Sequence, residues 1–194
     1  MAIQILSLAL LGPTLLPPTS IGDASVPNFQ TRPLDVNTQA AVDAGLTALA
    51  AYDPVAASEI TDAVMNGSLD VVELTNKNRS GFKGASDGNT ICVRLSDGVS
   101  AQAVAVRMRH EWHHWKYGES SATYNGGVLD ACGEFQNWAD TYDHICYVSC
   151  EVPGSITCNS VVNAAAKLGQ YYIMCLDMGG APIWPPNPPP CCCD

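Results

Sequence analysis

Five consecutive residues, His110-Glu111-Trp112-His113-His114, concentrate the chain's capacity for chemistry. Residues four apart on a helix lie one above the other, so His110 and His114 are predicted to present two imidazoles to a single metal ion. Glu111 is turned from His110 by about 100° of helix rotation, at the edge of the same face. It is placed to reach a water on that metal rather than to ligate it. Two neutral imidazoles and one carboxylate suit Zn²⁺ and leave a coordination position for water. Zinc brings the pKa of such a water to about 7, and Glu111 is predicted to take its proton, which is the chemistry of metal-assisted hydrolysis. Three of the four histidines fall within these five residues, a grouping that scattered core or surface histidines do not explain. His113 points away from the pair and reads as a packing or solvent-facing residue.

The surrounding pattern fits a cleft-lining helix. Val104, Met108, Trp112 and Trp115 form an apolar stripe on the side opposite the histidines, so the ligand face and the core face are separate. A short β-branched run, Thr90–Leu95 (TICVRL), precedes the helix across a turn. In this order of strand, turn and H-E-x-x-H helix, the chain resembles the zincin metallopeptidases over roughly residues 70–150, and among them a small gluzincin. The metzincin extension is absent, because Tyr117 and Ser120 stand where its Gly and third His would be. The resemblance implies a peptidase acting on peptide or protein substrates, with Zn²⁺ as cofactor, Glu111 as catalytic base and the TICVRL strand bordering the cleft.

A gluzincin takes its third ligand from a following helix. Glu134, twenty residues after His114, is the first choice here. Asp130, one turn earlier, is the next, with Asp140 and His144 as further alternatives. Larger gluzincins often carry an Asp four residues after this Glu, and Trp138 occupies that position here. Tyr117, Tyr124, Tyr142 and His144 are all chemically able to support an oxyanion, and the sequence does not choose among them. Arg107, nearly on the ligand face, is expected in a surface salt bridge.

The elements that must hold these residues are legible as runs. Asn37 is read as the cap of a helix reaching Tyr52, and Asp53-Pro54 opens a second helix ending near Asn66-Gly67. Asp70–Thr75 reads as a strand and 76–89 as a loop or hairpin. After TICVRL and the turn at 96–98, Ser100 caps the helix that runs to Tyr117. A polar connection, 119–127, leads to a helix from Val128 to about Cys150, and a last helix spans Ser160 to Asp177. Helices, then a small sheet, then helices give an α+β class: one minimal zincin-like domain, 23–180, stapled by disulfides.

Composition bounds the rest. Of 194 residues, 47% are hydrophobic and only 14% charged, which excludes a disordered chain. The net charge of −10 argues against nucleic-acid partners. Seven of the nine basic residues lie between Lys77 and Lys116, which suggests a locally less negative cleft. The uncharged apolar stretch within residues 1–16 is broken by Gly12-Pro13, too short to span a bilayer, and reads with 17–22 as a signal peptide cut before Asp23 or after Ala24.

Nine cysteines fit an oxidising compartment, hence a secreted or cell-envelope protein. The six internal ones are expected to form three bridges, with Cys150 and Cys158 a plausible short staple around Pro153-Gly154. Cys146 and Cys150, four apart, are expected to take separate partners. The proline-rich tail, 181–194, is expected to hold Cys191–Cys193 away from the body, free to form an intermolecular disulfide. A second functional reading follows from the cysteines: a disulfide-stapled, non-catalytic interaction protein with a degenerate or structural metal site. The intact Glu111 separates the two, because a binding module has no use for a glutamate that is not a ligand.

Overall fold

The computed structural model describes residues 30–75, 84–95, 99–117, 128–183 and 191–192, with the backbone alone at 87 and 128–130. The leader 1–22, the turn 96–98, the connection 119–127 with Tyr124, the Asp130 side chain, the prolines at 185–190 and Cys193 lie outside the described residues.

The fold is α+β, with five helices and a four-stranded mixed sheet among the described residues. Strand β1 (Thr31–Arg32) leads into α1 (Val36–Tyr52). The cap of α1 is Asp35, two residues before the predicted Asn37. Its carboxylate accepts from the Asn37 and Thr38 amides at 2.9 Å, and the Thr38 hydroxyl accepts in return from the Asp35 amide at 2.7 Å. Asp53 closes α1 and opens α2 (Pro54–Met65), its side chain accepting from the Ala56 amide at 3.0 Å, with Pro54 in the first turn where its missing N–H costs nothing.

Strands β2 (Asp70–Leu74), β3 (Gly84–Asp87) and β4 (Thr90–Val93) complete the sheet in the order β1-β2-β4-β3. β2 and β4 are parallel, while β3 folds back on β4 antiparallel through Gly88, whose φ of 56° a side chain would resist. The TICVRL strand therefore lies inside the sheet rather than at the edge of the described strands. It is covered on both sides, and β3 takes the edge.

Helix α3 (Ala101–Tyr117) begins where Ser100 accepts from the Ala103 amide at 3.1 Å. Its stripe packs as expected: Val104, Met108 and Trp112 join Val42, Leu49, Ile60, Ile91 and Val93 in the main core. α1 comes close enough to α3 that a Cβ on Gly45 would stand 2.5 Å from Val104 Cγ1.

Helices α4 (Val128–Glu151) and α5 (Cys158–Asp177) form a hairpin around Phe135, Ala139, Leu168 and Tyr171, joined to α3 through Val106 against Ile145, Cys146, Val161 and Ala164. At about 100° per residue, Cys132, Cys146 and Cys150 fall on one face of α4, and Glu134, Asn137 and Thr141 on the opposite one. The cysteine face is bonded throughout: Cys132 to Cys175 of α5, Cys146 to Cys191 and Cys150 to Cys192. This corrects three expectations. Only one bridge joins two internal cysteines, Cys150 does not pair with Cys158, and Cys191 and Cys192 are fastened to the body rather than held off it. The i, i+4 pair on α4 reaches two successive tail residues, which sequence spacing alone did not connect. No helix among the described residues is long and apolar enough to cross a membrane.

Candidate metal centre

The site lies where α3 meets α4. His110 and His114 project from α3 as their spacing requires, and Glu134 reaches them from α4. Their ligand atoms lie within 4.8 Å of one another, so the three side chains could hold a metal ion. The Nε2 atoms of His110 and His114 are 3.3 Å apart, and His114 Nε2 is 3.3 Å from Glu134 Oε1. Bonds of roughly 2.0–2.1 Å at tetrahedral angles put two ligand atoms about 3.3–3.4 Å apart, so both separations suit one zinc-sized ion. The donor set, two imidazoles and a carboxylate, is equally suited to it.

Burial reinforces the geometry. Glu134 and Glu111 are each 5% exposed and His114 4%. Two carboxylates so enclosed are costly unless a positive charge answers them. Burial pushes the Glu111 carboxyl well above its ordinary range, and the charge of Glu134 adds to this. Burial holds the His110 imidazole well below its ordinary value, helped by His114, His113 and Arg109.

Glu111 lies close enough to Glu134 to feel its charge but does not belong to the ligand group. The backbone of β3 lies against it: a Cβ on Gly84 would stand 2.5 Å from Glu111 Oε1. That glycine was not singled out from the sequence. Its only signal was its place in a Gly-rich segment, read as a loop or hairpin.

Two further residues of α4 close around His110. Its Nδ1 is 2.9 Å from Thr141 Oγ1, and the Thr141 hydroxyl donates to the Asn137 carbonyl at 2.8 Å. The Asn137 amide donates to the His110 carbonyl at 3.1 Å, and the same nitrogen lies 3.1 Å from His114 Nε2. A metal on His114 Nε2 would displace only the second of these contacts. Sequence reasoning missed both residues. Their signal was the spacing 134, 137, 141, a polar face on an otherwise apolar helix.

The alternatives for the third ligand do not join the group. Asp140 faces Arg109, with Oδ2 3.8 Å from Nη2. His144 stacks on Tyr52 of α1, ring centroids 4.0 Å apart. Asp130 lies outside the described side chains. Of the oxyanion candidates, Tyr117 is exposed beside His113, and Tyr142 packs against the α4–α5 core. His113 is a packing residue, buried at 7% exposure. Arg107 makes no salt bridge among the described residues; its guanidinium donates to the Arg94 carbonyl. An open recess lined by Glu59, Asp62, Trp115 and Lys116 shares no residue with the metal group.

No protein-family model matches the chain, and no curated protein and no solved structure matches it.

Proposed function

We propose that the protein is a zinc-dependent peptidase of the zincin kind, secreted or held in the cell envelope. One observation carries the reading: His110, His114 and Glu134 bring their ligand atoms within 4.8 Å of one another, His114 standing 3.3 Å from each of the other two, with Glu111 buried beside them and outside the ligand group. A purely structural zinc site is closed by four protein ligands, whereas three leave a position open. Zinc bound there supplies an acidified water and a Lewis acid for the scissile carbonyl.

The chain's own residues do the rest. Glu111 removes a proton from the attacking water through its carboxylate and delivers it to the leaving amine nitrogen. Burial raises the proton affinity of this carboxylate, which favours its taking the proton from water. Glu134 holds negative charge against the metal, and burial keeps the His110 imidazole neutral as a ligand must be. β3, the edge of the sheet among the described residues, offers its outer amides and carbonyls to an extended peptide beside Glu111. Three disulfides among the described residues support an oxidising compartment.

The test is Glu111→Gln in oxidised, zinc-loaded protein against a diverse peptide library. The variant is expected to keep its zinc and lose roughly 10²–10⁴-fold in rate, the usual share of a general base. Wild-type protein that carries zinc and cleaves no peptide, or a variant as active as wild type, would overturn the proposal.

A further inference from the structure

We infer that Thr141 is a positioning residue that fixes the His110 ring so that its Nε2 lone pair is turned to the metal. This rests on the metal reading above and deepens it. The argument is a count of protons. A threonine hydroxyl has one proton to give. Thr141 Oγ1 lies 2.8 Å from the Asn137 carbonyl, which has none, so the hydroxyl proton is committed there. Toward His110 Nδ1, at 2.9 Å, the oxygen is left to accept. Nδ1 therefore carries the proton of the neutral ring. The other nitrogen, Nε2, is bare, and it is the atom that stands 3.3 Å from His114 Nε2.

The surroundings keep this arrangement unique. Thr141 is 4% exposed and Asn137 fully buried, so bulk water does not compete for these groups. Asn137 ties the other end of the same residue, donating from its side chain to the His110 carbonyl at 3.1 Å. α4 thus supplies one ligand, Glu134, and orients another from the same face. A hydroxyl bonding back to the carbonyl four residues earlier is common in helices. The added histidine contact, from a different helix, gives that local bond a role at the site. Metal-bound histidines almost always donate their second ring nitrogen to such a partner, and its loss costs roughly 10–100-fold in metal affinity.

The test combines a spectroscopic and a binding readout on full-length oxidised protein. Two-bond ¹H–¹⁵N correlations report which nitrogen of His110 is protonated in the zinc-free state. Competition with a chromophoric chelator gives zinc affinity for wild type, Thr141→Val and Thr141→Ser. The expected result is a proton on Nδ1 in wild type, zinc affinity lowered roughly 10–100-fold in the valine variant, and recovery of both in the serine variant. A wild-type His110 protonated on Nε2, or a folded valine variant that binds zinc as tightly as wild type, would overturn the inference. If wild type binds no zinc, the metal reading fails by itself, and the zinc-free spectrum still decides the tautomer.

Discussion

Among the described residues no histidine, aspartate or glutamate is more buried than His144, at 1% exposure. Neither ring nitrogen has a hydrogen-bond partner among the described residues, and the ring lies flat on Tyr52. Burial, with Arg109 nearby, pushes its pKa down to about 3, against a weaker opposing pull from Asp53. The folded state therefore holds this ring neutral, while the unfolded chain takes up a proton below about pH 6.5. The contribution is complete above that pH and lost progressively as pH falls toward 3. His144→Phe keeps the stack on Tyr52 and removes the titration. Urea denaturation should show wild type losing about 2–3 kcal/mol more than the variant between pH 7 and 4.5. Parallel pH dependences of the two proteins would contradict this account of the residue.

At the scale of elements, the site depends on how β3, α3 and α4 approach. Gly84 of β3 leaves Glu111 the space its carboxylate occupies. Gly84→Ala should displace that carboxylate while leaving the ligands untouched. Peptidase assays should then show loss of roughly 100-fold in rate with zinc content unchanged, the usual effect of an ångström-scale misplacement. An active Gly84→Ala enzyme would show that Glu111 tolerates the shift. The α3 ligand pair was legible in the sequence because both histidines and the opposing stripe obey one helical period. Glu134 was legible only as one choice among several, because the packing of α4 on α3 is not written in either helix alone. β3 was only half legible: Gly-Ala-Ser-Asp has no β-branched residue, and its pairing with β4 is what makes it a strand. Thr141 and Asn137 went unread because their partners lie on another helix, about thirty positions upstream.

For the whole molecule, α4 is held from behind by disulfides and faces the candidate metal site in front. The Cys132–Cys175 bridge closes a loop of sequence separation 43 and begins two residues before Glu134. Chain entropy assigns such a loop about 4 kcal/mol. Cys132→Ser/Cys175→Ser should lower stability by that order in chemical denaturation and weaken zinc binding in chelator competition, because the third ligand loses its nearest anchor. Unchanged zinc affinity would mean that packing alone positions Glu134. The basic residues resolve differently from their clustering in sequence. Arg109 pairs with Asp53 at 2.9 Å, Lys116 with Glu59 at 2.9 Å, and Arg107 donates to a backbone carbonyl. These three tie α3 to its neighbours.

The central claim is that His110, His114 and Glu134 hold one zinc ion. Zinc content of purified, oxidised protein after dialysis tests it most directly, compared with His110→Ala, His114→Ala and Glu134→Ala in parallel. The account predicts close to one zinc per wild-type chain, lost from both histidine variants and sharply reduced in the glutamate variant. Wild-type protein without stoichiometric metal, or zinc retained equally by all three variants, would contradict it.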